Sequence, residues 1–250
     1  MPKNRDNMTK KIKFIKQNTF VTQPWGEKVE INIPEPKKTS IYLPDWYSKS
    51  ERWTGSGSPK IEGYSANQGL KHCVPFLDAM TNGYAVELWT DVQAYVDENG
   101  SPYFTWLSQP DPLLVRNQES GALIPRPAGH HDMHLAWTGQ WGIKLPKGYS
   151  YLLTHPANRF DLPFTTLTGI VDADSYYAAG LIPFFIKENF EGIIKAGTPI
   201  AQIYPFKRDN WESELGDTSL RQETIQQSFD SRRSLGGLYK KLHWTRKEYK

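Results

Sequence analysis

GIVDADSYYAAGLIPFFIKENFEGIIKAGTPIAQIYPFK, residues 169–207, decides the fold. Two apolar runs, Leu181 to Ile186 and Pro199 to Phe206, are separated by the charged turn Lys187-Glu188-Asn189 and the glycine-centred turn Lys195-Ala196-Gly197. Short apolar runs bounded by such punctuation read as antiparallel strands, and they are predicted to lie as neighbours in a buried core. Ahead of them comes an acidic, aromatic loop. In an extended segment Asp172 and Asp174 would face the same side, two residues apart, with Tyr176 or Tyr177 close behind.

Outward from this stretch, Tyr84 to Val96 alternates Tyr84, Val86, Leu88, Val92, Ala94 and Val96 with Glu87, Asp91, Gln93 and Asp97, the pattern of a half-buried strand. Asp97-Glu98-Asn99-Gly100 supplies residues that accept the positive φ of a tight turn, and Tyr103 to Leu107 returns. Gln140 to Leu145, the Pro146-Lys147-Gly148 turn and Tyr149 to Leu153 read as a second hairpin. A helix is predicted only near the end, where Asp217 or Ser219 caps a segment carrying Leu220, Ile225, Phe229 and Leu235 before Gly236-Gly237. Many short strands with Gly and Pro turns make an all-β barrel or compressed sandwich. Residues 1–60 read as an irregular aromatic and basic arm, 61–210 as the β domain and 211–250 as a helical, basic tail. Trp25, Trp46 and Trp53 stand in polar surroundings, which predicts that the arm packs on the core or on another subunit.

The motifs of the central stretch resemble the dUTPase and dCTP deaminase superfamily, over residues 148–207. Gly169-Ile170-Val171-Asp172-Ala173-Asp174 with Tyr176 is similar to that family's Gly-Val-Ile-Asp-x-Asp-Tyr. Lys195-Ala196-Gly197-Thr198-Pro199-Ile200-Ala201-Gln202-Ile203 is similar to its Lys-Gly-Asp-Arg-Ile-Ala-Gln-Leu, and Gly148 to Pro156 to the strand that enters its core. The resemblance implies a dUTPase-like β-clip, a homotrimer by analogy, and a site built on Asp172 as the group that orients the attacking water or contacts the sugar. Asp174, Tyr176, Tyr177, Arg159 and Gln202 would be the ligand contacts, with Mg²⁺ if the chain is a nucleoside-triphosphate diphosphatase. The bland alternative is that Asp172 and Asp174 brace a turn through side-chain to backbone bonds.

Departures from the family pattern point away from catalysis. The phosphate loop rich in Ser is replaced by His155-Pro156-Ala157-Asn158-Arg159-Phe160-Asp161, in which Asp161 opposes the anion that Arg159 would attract. Phe184 or Phe185 stands where a deaminase needs its Glu. The glycine-rich lid has only an echo in Arg232 to Tyr239, and Asn82-Gly83-Tyr84-Ala85-Val86 lacks the Asp of the first motif. The expected function is therefore a non-catalytic binding or assembly module whose partner is a nucleotide or other protein subunits. The chain is also similar to uncharacterised bacteriophage proteins, which brings in a virion component.

Other features are weighed against this reading. His130-His131-Asp132-Met133-His134 could converge from alternate residues of a strand, with His155 added, to bind zinc or iron. One short cluster supplies at most part of a coordination shell, and no metal is expected. Cys73, the single cysteine, excludes an internal disulfide. The formal net charge of +3, with basic residues gathered at Lys3 to Lys16 and Arg232 to Lys250, does not call for nucleic acid. No apolar run reaches the roughly 20 residues of a membrane span, and the N-terminus is too polar for a signal peptide. The expected location is the cytoplasm, or the virion for a protein of phage origin.

Overall fold

A computed structural model of the chain describes residues 9–17, 20–22, 24–53, 69–107, 109–116, 124–233 and 238–250. The fold is mainly β. Its strands are β1 (Lys13–Lys16), β2 (Phe20–Thr22), β3 (Lys28–Glu30), β4 (Lys37–Lys38), β5 (Tyr84–Glu87), β6 (Val92–Val96), β7 (Pro102–Thr105) and β8 (Leu113–Val115). There follow β9 (Leu135–Thr138), β10 (Trp141–Lys144), β11 (Tyr149–Thr154), β12 (Phe164–Thr166), β13 (Gly169–Val171), β14 (Leu181–Ile186), β15 (Gly192–Ile194) and β16 (Pro199–Lys207). The α-helices are α1 (Asp45–Lys49), α2 (Val74–Thr81) and α3 (Thr218–Arg233). Among the described residues, no helix is long and apolar enough to cross a membrane.

The chain divides into two compact units, one of Met1–Lys37 and Gly83–Arg208, the other of Lys38–Asn82 and Asp209–Lys250. The expected boundary at 60/61 lies outside the described residues.

In the first unit one sheet runs β13-β11-β16-β5 and another β12-β14-β9-β8, with β15-β6-β7, β1-β10 and β2-β3 as smaller sheets. The two larger sheets share one core: Val86, Tyr151, Ile200 and Ile203 from the first meet Trp137, Phe164, Phe184 and Ile186 from the second. Trp137 is stacked on Phe184 with ring centroids 4.0 Å apart, and Phe164 meets both rings edge-on. A buried hydrogen bond of 2.6 Å from the Thr166 hydroxyl to the Ile200 carbonyl links β12 to β16. Such burial of aromatic surface is the main stabilising term available to a sheet pair.

Both apolar runs of the opening stretch are strands and both are buried, but they lie in different sheets rather than side by side. Each pairs with strands distant in sequence, β14 with β9 and β12, β16 with β11 and β5. Pro183, which has no N–H to give, accepts from the Leu167 amide just beyond the end of β12.

Three local expectations are corrected. Tyr84 to Val96 is two strands in two sheets, and all four residues of β5 are buried. Glu87, expected on a wet face, is buried there and bonded to Lys37 at 2.7 Å, the pairing that an interior carboxylate requires. The segment 140–153 does turn at Pro146, whose carbonyl accepts from the Tyr149 amide, yet β10 pairs with β1 while β11 pairs with β13 and β16. Finally, α2 is a helix that sequence reading passed over, entered through Pro75 in its first turn and burying Val74 and Met80.

Other expectations match. The β6–β7 hairpin turns at Asp97 to Gly100, with the Asp97 carboxylate accepting from the Asn99 and Ser101 amides and Gly100 at φ +81°. Asp217 caps α3, its Oδ1 accepting from the Ser219 and Leu220 amides. The expected stop at Gly236-Gly237 is outside the described residues. In the second unit Trp46 packs edge-on against Tyr47 and Phe76, and Trp53 lies 4.3 Å from the His72 ring. Trp25, by contrast, is 72% exposed.

Candidate functional site

The acidic loop begins where β13 ends. Residues 172–175 form a turn in which the Asp172 carbonyl accepts from the Ser175 and Tyr176 amides. The two carboxylates are not presented together to solvent; they converge on Arg208, the residue after β16. Arg208 Nη1 lies 2.9 Å from Asp174 Oδ1 and 3.1 Å from Asp172 Oδ1, and Nη2 bonds Asp174 Oδ2. The antiparallel pairing of β11 with β16 brings the start of one strand beside the end of the other, which is why Ser150 and Arg208 meet. Ser150, fully buried, gives its hydroxyl to Asp172 Oδ1 at 2.6 Å, and the Gly148 amide donates to Asp174 Oδ2 at 2.8 Å.

These bonds set the acidity of both groups. The Ser150 hydroxyl, then the Arg208 guanidinium, hold the Asp172 carboxyl below its usual range. Arg208, then the Gly148 amide, lower Asp174 to about 2. Hydrogen bonds and a cation favour the ionised form and make a carboxylate a weaker base. Asp174 has both oxygens committed, and its side chain is 11% exposed; that of Asp172 is 62% exposed.

The remaining candidates sit apart from this clamp. Arg159 grips Asp161 through Nε and Nη2, with three contacts of 2.7 to 3.1 Å. Burial raises the Asp161 carboxyl, but the Arg159 bonds outweigh it and the group stays below its usual range. Gln202 is fully buried on β16, where its Oε1 accepts from the Ala157 amide at 2.8 Å and so fastens the 155–162 turn to the sheet. Tyr177 is exposed, and the Lys144 ammonium lies 4.4 Å from its ring centre, within cation–π range. Tyr176, 61% exposed, borders a cleft of about 310 Å³ walled by Trp141, Ile143, Tyr151, Leu167 and Leu181. Arg208 and Ser150 are the side chains of the clamp that sequence reading did not single out. A lone arginine 34 positions beyond Asp174 has no local motif, and only the strand register could have pointed to it.

The histidine cluster does not converge. His130 bonds the Ala128 carbonyl and the Thr165 hydroxyl, while the His131 Nδ1 accepts from the Met133 amide. His134 is buried against Phe185, and Asp132 points to solvent. His155 accepts from the Thr166 amide at Nδ1 and therefore donates from Nε2 to the Arg159 carbonyl. Among the described residues, no group of three or more His, Cys, Asp or Glu side chains is placed to hold a metal ion. Cys73 is an exposed free thiol.

No protein-family model, curated protein or solved structure matches this chain.

Proposed function

We propose that the chain is a divergent, non-catalytic dUTPase-like β-clip protein that acts as a binding or assembly module, with a bacteriophage structural component as the setting to which the resemblance points. The homotrimer belongs to the same proposal. The observation that carries it is the Arg208 clamp: the carboxylate that would orient water is held by an arginine and a serine of its own chain, and its companion has no free oxygen. Phosphoryl chemistry needs cationic or amide donors preorganised around the triphosphate. Here Arg159 is engaged by Asp161, and Arg208 by the acidic turn.

A nucleoside-triphosphate diphosphatase using Asp172 and Mg²⁺ is the second reading, favoured by the exposure of the Asp172 side chain. Pyrophosphate release from dUTP, dCTP and dTTP with Mg²⁺, measured beside Asp172→Asn, decides between the two. No turnover by either protein is expected. Robust turnover that disappears in the variant would overturn the non-catalytic reading.

A further inference from the structure

Two exposed apolar features belong to the first unit. The first is the β2–β3 hairpin, which forms a two-stranded sheet of its own. Phe20 is 57% and Trp25 72% exposed, and Val29 is exposed as well. A two-stranded hairpin of this size is marginal in water without a surface to pack on, and exposed indole and phenyl rings add to its need for one. The second is the 310 Å³ cleft, whose walls come from both large sheets and whose rim carries exposed Tyr176 and Leu181. Along that rim runs β13, which among the described residues is the edge strand of its sheet, with one side open to a further strand.

The hairpin is rooted beside the cleft. The Gln17 amide donates to the Gln140 carbonyl at 3.0 Å, and Trp141, a wall of the cleft, donates its indole N–H to the Pro34 carbonyl at 3.0 Å. Both ends of the arm are thus fastened to the β10 region while its aromatic residues remain outside their own cleft.

We infer that the β2–β3 arm of one copy docks into the Trp141–Tyr176–Leu181 cleft of a second copy of this chain. Each copy carries one arm and one cleft, and a neighbour supplies the complement of both. An extended segment satisfies what a small molecule leaves unmet, because it covers the apolar rim and offers backbone partners to the open edge of β13. Exchange of arms between identical chains closes either as a two-fold pair or as a ring. This inference rests on the assembly reading and gives it a surface.

Sedimentation velocity and light scattering of the full-length protein across a concentration series test it, with arm variants Phe20→Ser and Trp25→Ser and cleft variants Leu181→Arg and Tyr176→Ser. All four positions are exposed, so thermal melts should match the parent. The parent is expected to self-associate, and each variant to weaken association at least about tenfold, the effect of removing a central aromatic or aliphatic anchor. An equimolar mixture of Trp25→Ser and Leu181→Arg should form mixed oligomers by native mass spectrometry, because one intact arm and one intact cleft remain. A parent that stays monomeric, or an oligomer indifferent to arm and cleft variants, overturns the inference. An indifferent oligomer would leave the non-catalytic assembly reading standing, whereas turnover of dUTP would remove that reading through a different measurement.

Discussion

Arg208 Nη1 bonds Asp174 Oδ1 at 2.9 Å, joining the residue after the last strand to an acidic turn 34 positions earlier. The same guanidinium also reaches Asp172, so the two carboxylates that most suggest a catalytic loop are tied to the exit of β16. Their charge is balanced by a cation and donors of the same chain, and the loop is a braced turn. The acidity of Asp174 makes that bracing measurable.

The folded-state pKa of Asp174 is depressed, to about 2, by Arg208 and the Gly148 amide. Its contribution to stability is therefore full above the ordinary Asp value of about 4 and is lost as pH falls toward 2. Asp174→Asn should lower the urea midpoint at pH 7, and the gap from the parent should narrow steadily as pH drops below about 4. Arg208→Gln should show the same pattern. A gap independent of pH would mean that the clamp is not what sets this acidity.

His134 gives the acid side of the stability profile a separate handle, at higher pH than Asp174. Burial, then the nearby charge of Arg116, depress its pKa, and among the described residues neither ring nitrogen has a hydrogen-bond partner. Burial depresses His155 and His72 as well. A histidine held neutral in the fold but free to protonate when unfolded binds more protons in the unfolded state, so stability is full above about pH 6.5 and falls with acidification. His134→Leu removes one such group along with two unsatisfied nitrogens, and an apolar replacement of similar shape should be neutral or mildly stabilising at pH 7. Melting temperatures from pH 7.5 to about 5 should fall less steeply in the variant. An identical slope would contradict this.

Much of the architecture was legible because it is written locally. The Asp97 turn, the Asp217 cap and the apolar runs 181–186 and 199–206 each carry their signal within a few residues, and each appears where expected. What could not be read was which strands meet. The runs at 84–87 and 92–96 share one alternation but enter different sheets, and Glu87 looks polar and wet until Lys37 is placed beside it. The same limit governs the candidate site. Asp172 and Asp174 stand out at once, yet whether they face a ligand or an arginine depends on a strand register that no spacing reveals. Trp25 and Trp53 are alike in sequence, but Trp53 packs on His72 and Trp25 stays exposed.

Trp137 should be the most sensitive core position. It is fully buried, parallel to Phe184 at 4.0 Å and edge-on to Phe164. Trp137→Ala should cost about 3 to 5 kcal/mol through lost transfer energy and the cavity left behind. Because the indole N–H is buried with no hydrogen-bond partner among the described residues, Trp137→Phe keeps the stack and removes an unsatisfied donor, and should cost far less. Chemical denaturation of both variants checks the ranking, and an equal loss would show that the part of the indole a phenyl ring cannot replace, rather than the ring stack, governs the site.

Gln202 separates a ligand contact from a structural brace. The family-like motif puts it in a binding role, while its side chain is fully buried and accepts from the Ala157 amide at 2.8 Å. That amide opens the turn that carries Arg159 and Asp161, and Gln202→Ala leaves it without this acceptor inside the fold. Ala157 is half-buried, and a donor there stripped of its partner costs about 1 kcal/mol, the lower end of the range for a buried group, so the variant should unfold at lower denaturant with its fold retained. Amide hydrogen exchange at Ala157 should accelerate with it, because local opening no longer breaks a bond to the sheet. If Gln202 instead served only to read a ligand, the variant would keep the parent's midpoint and exchange rate and lose binding of a nucleotide such as dUTP alone. A fall in stability with faster exchange at Ala157 assigns the residue to the sheet, and an unchanged midpoint assigns it to a ligand.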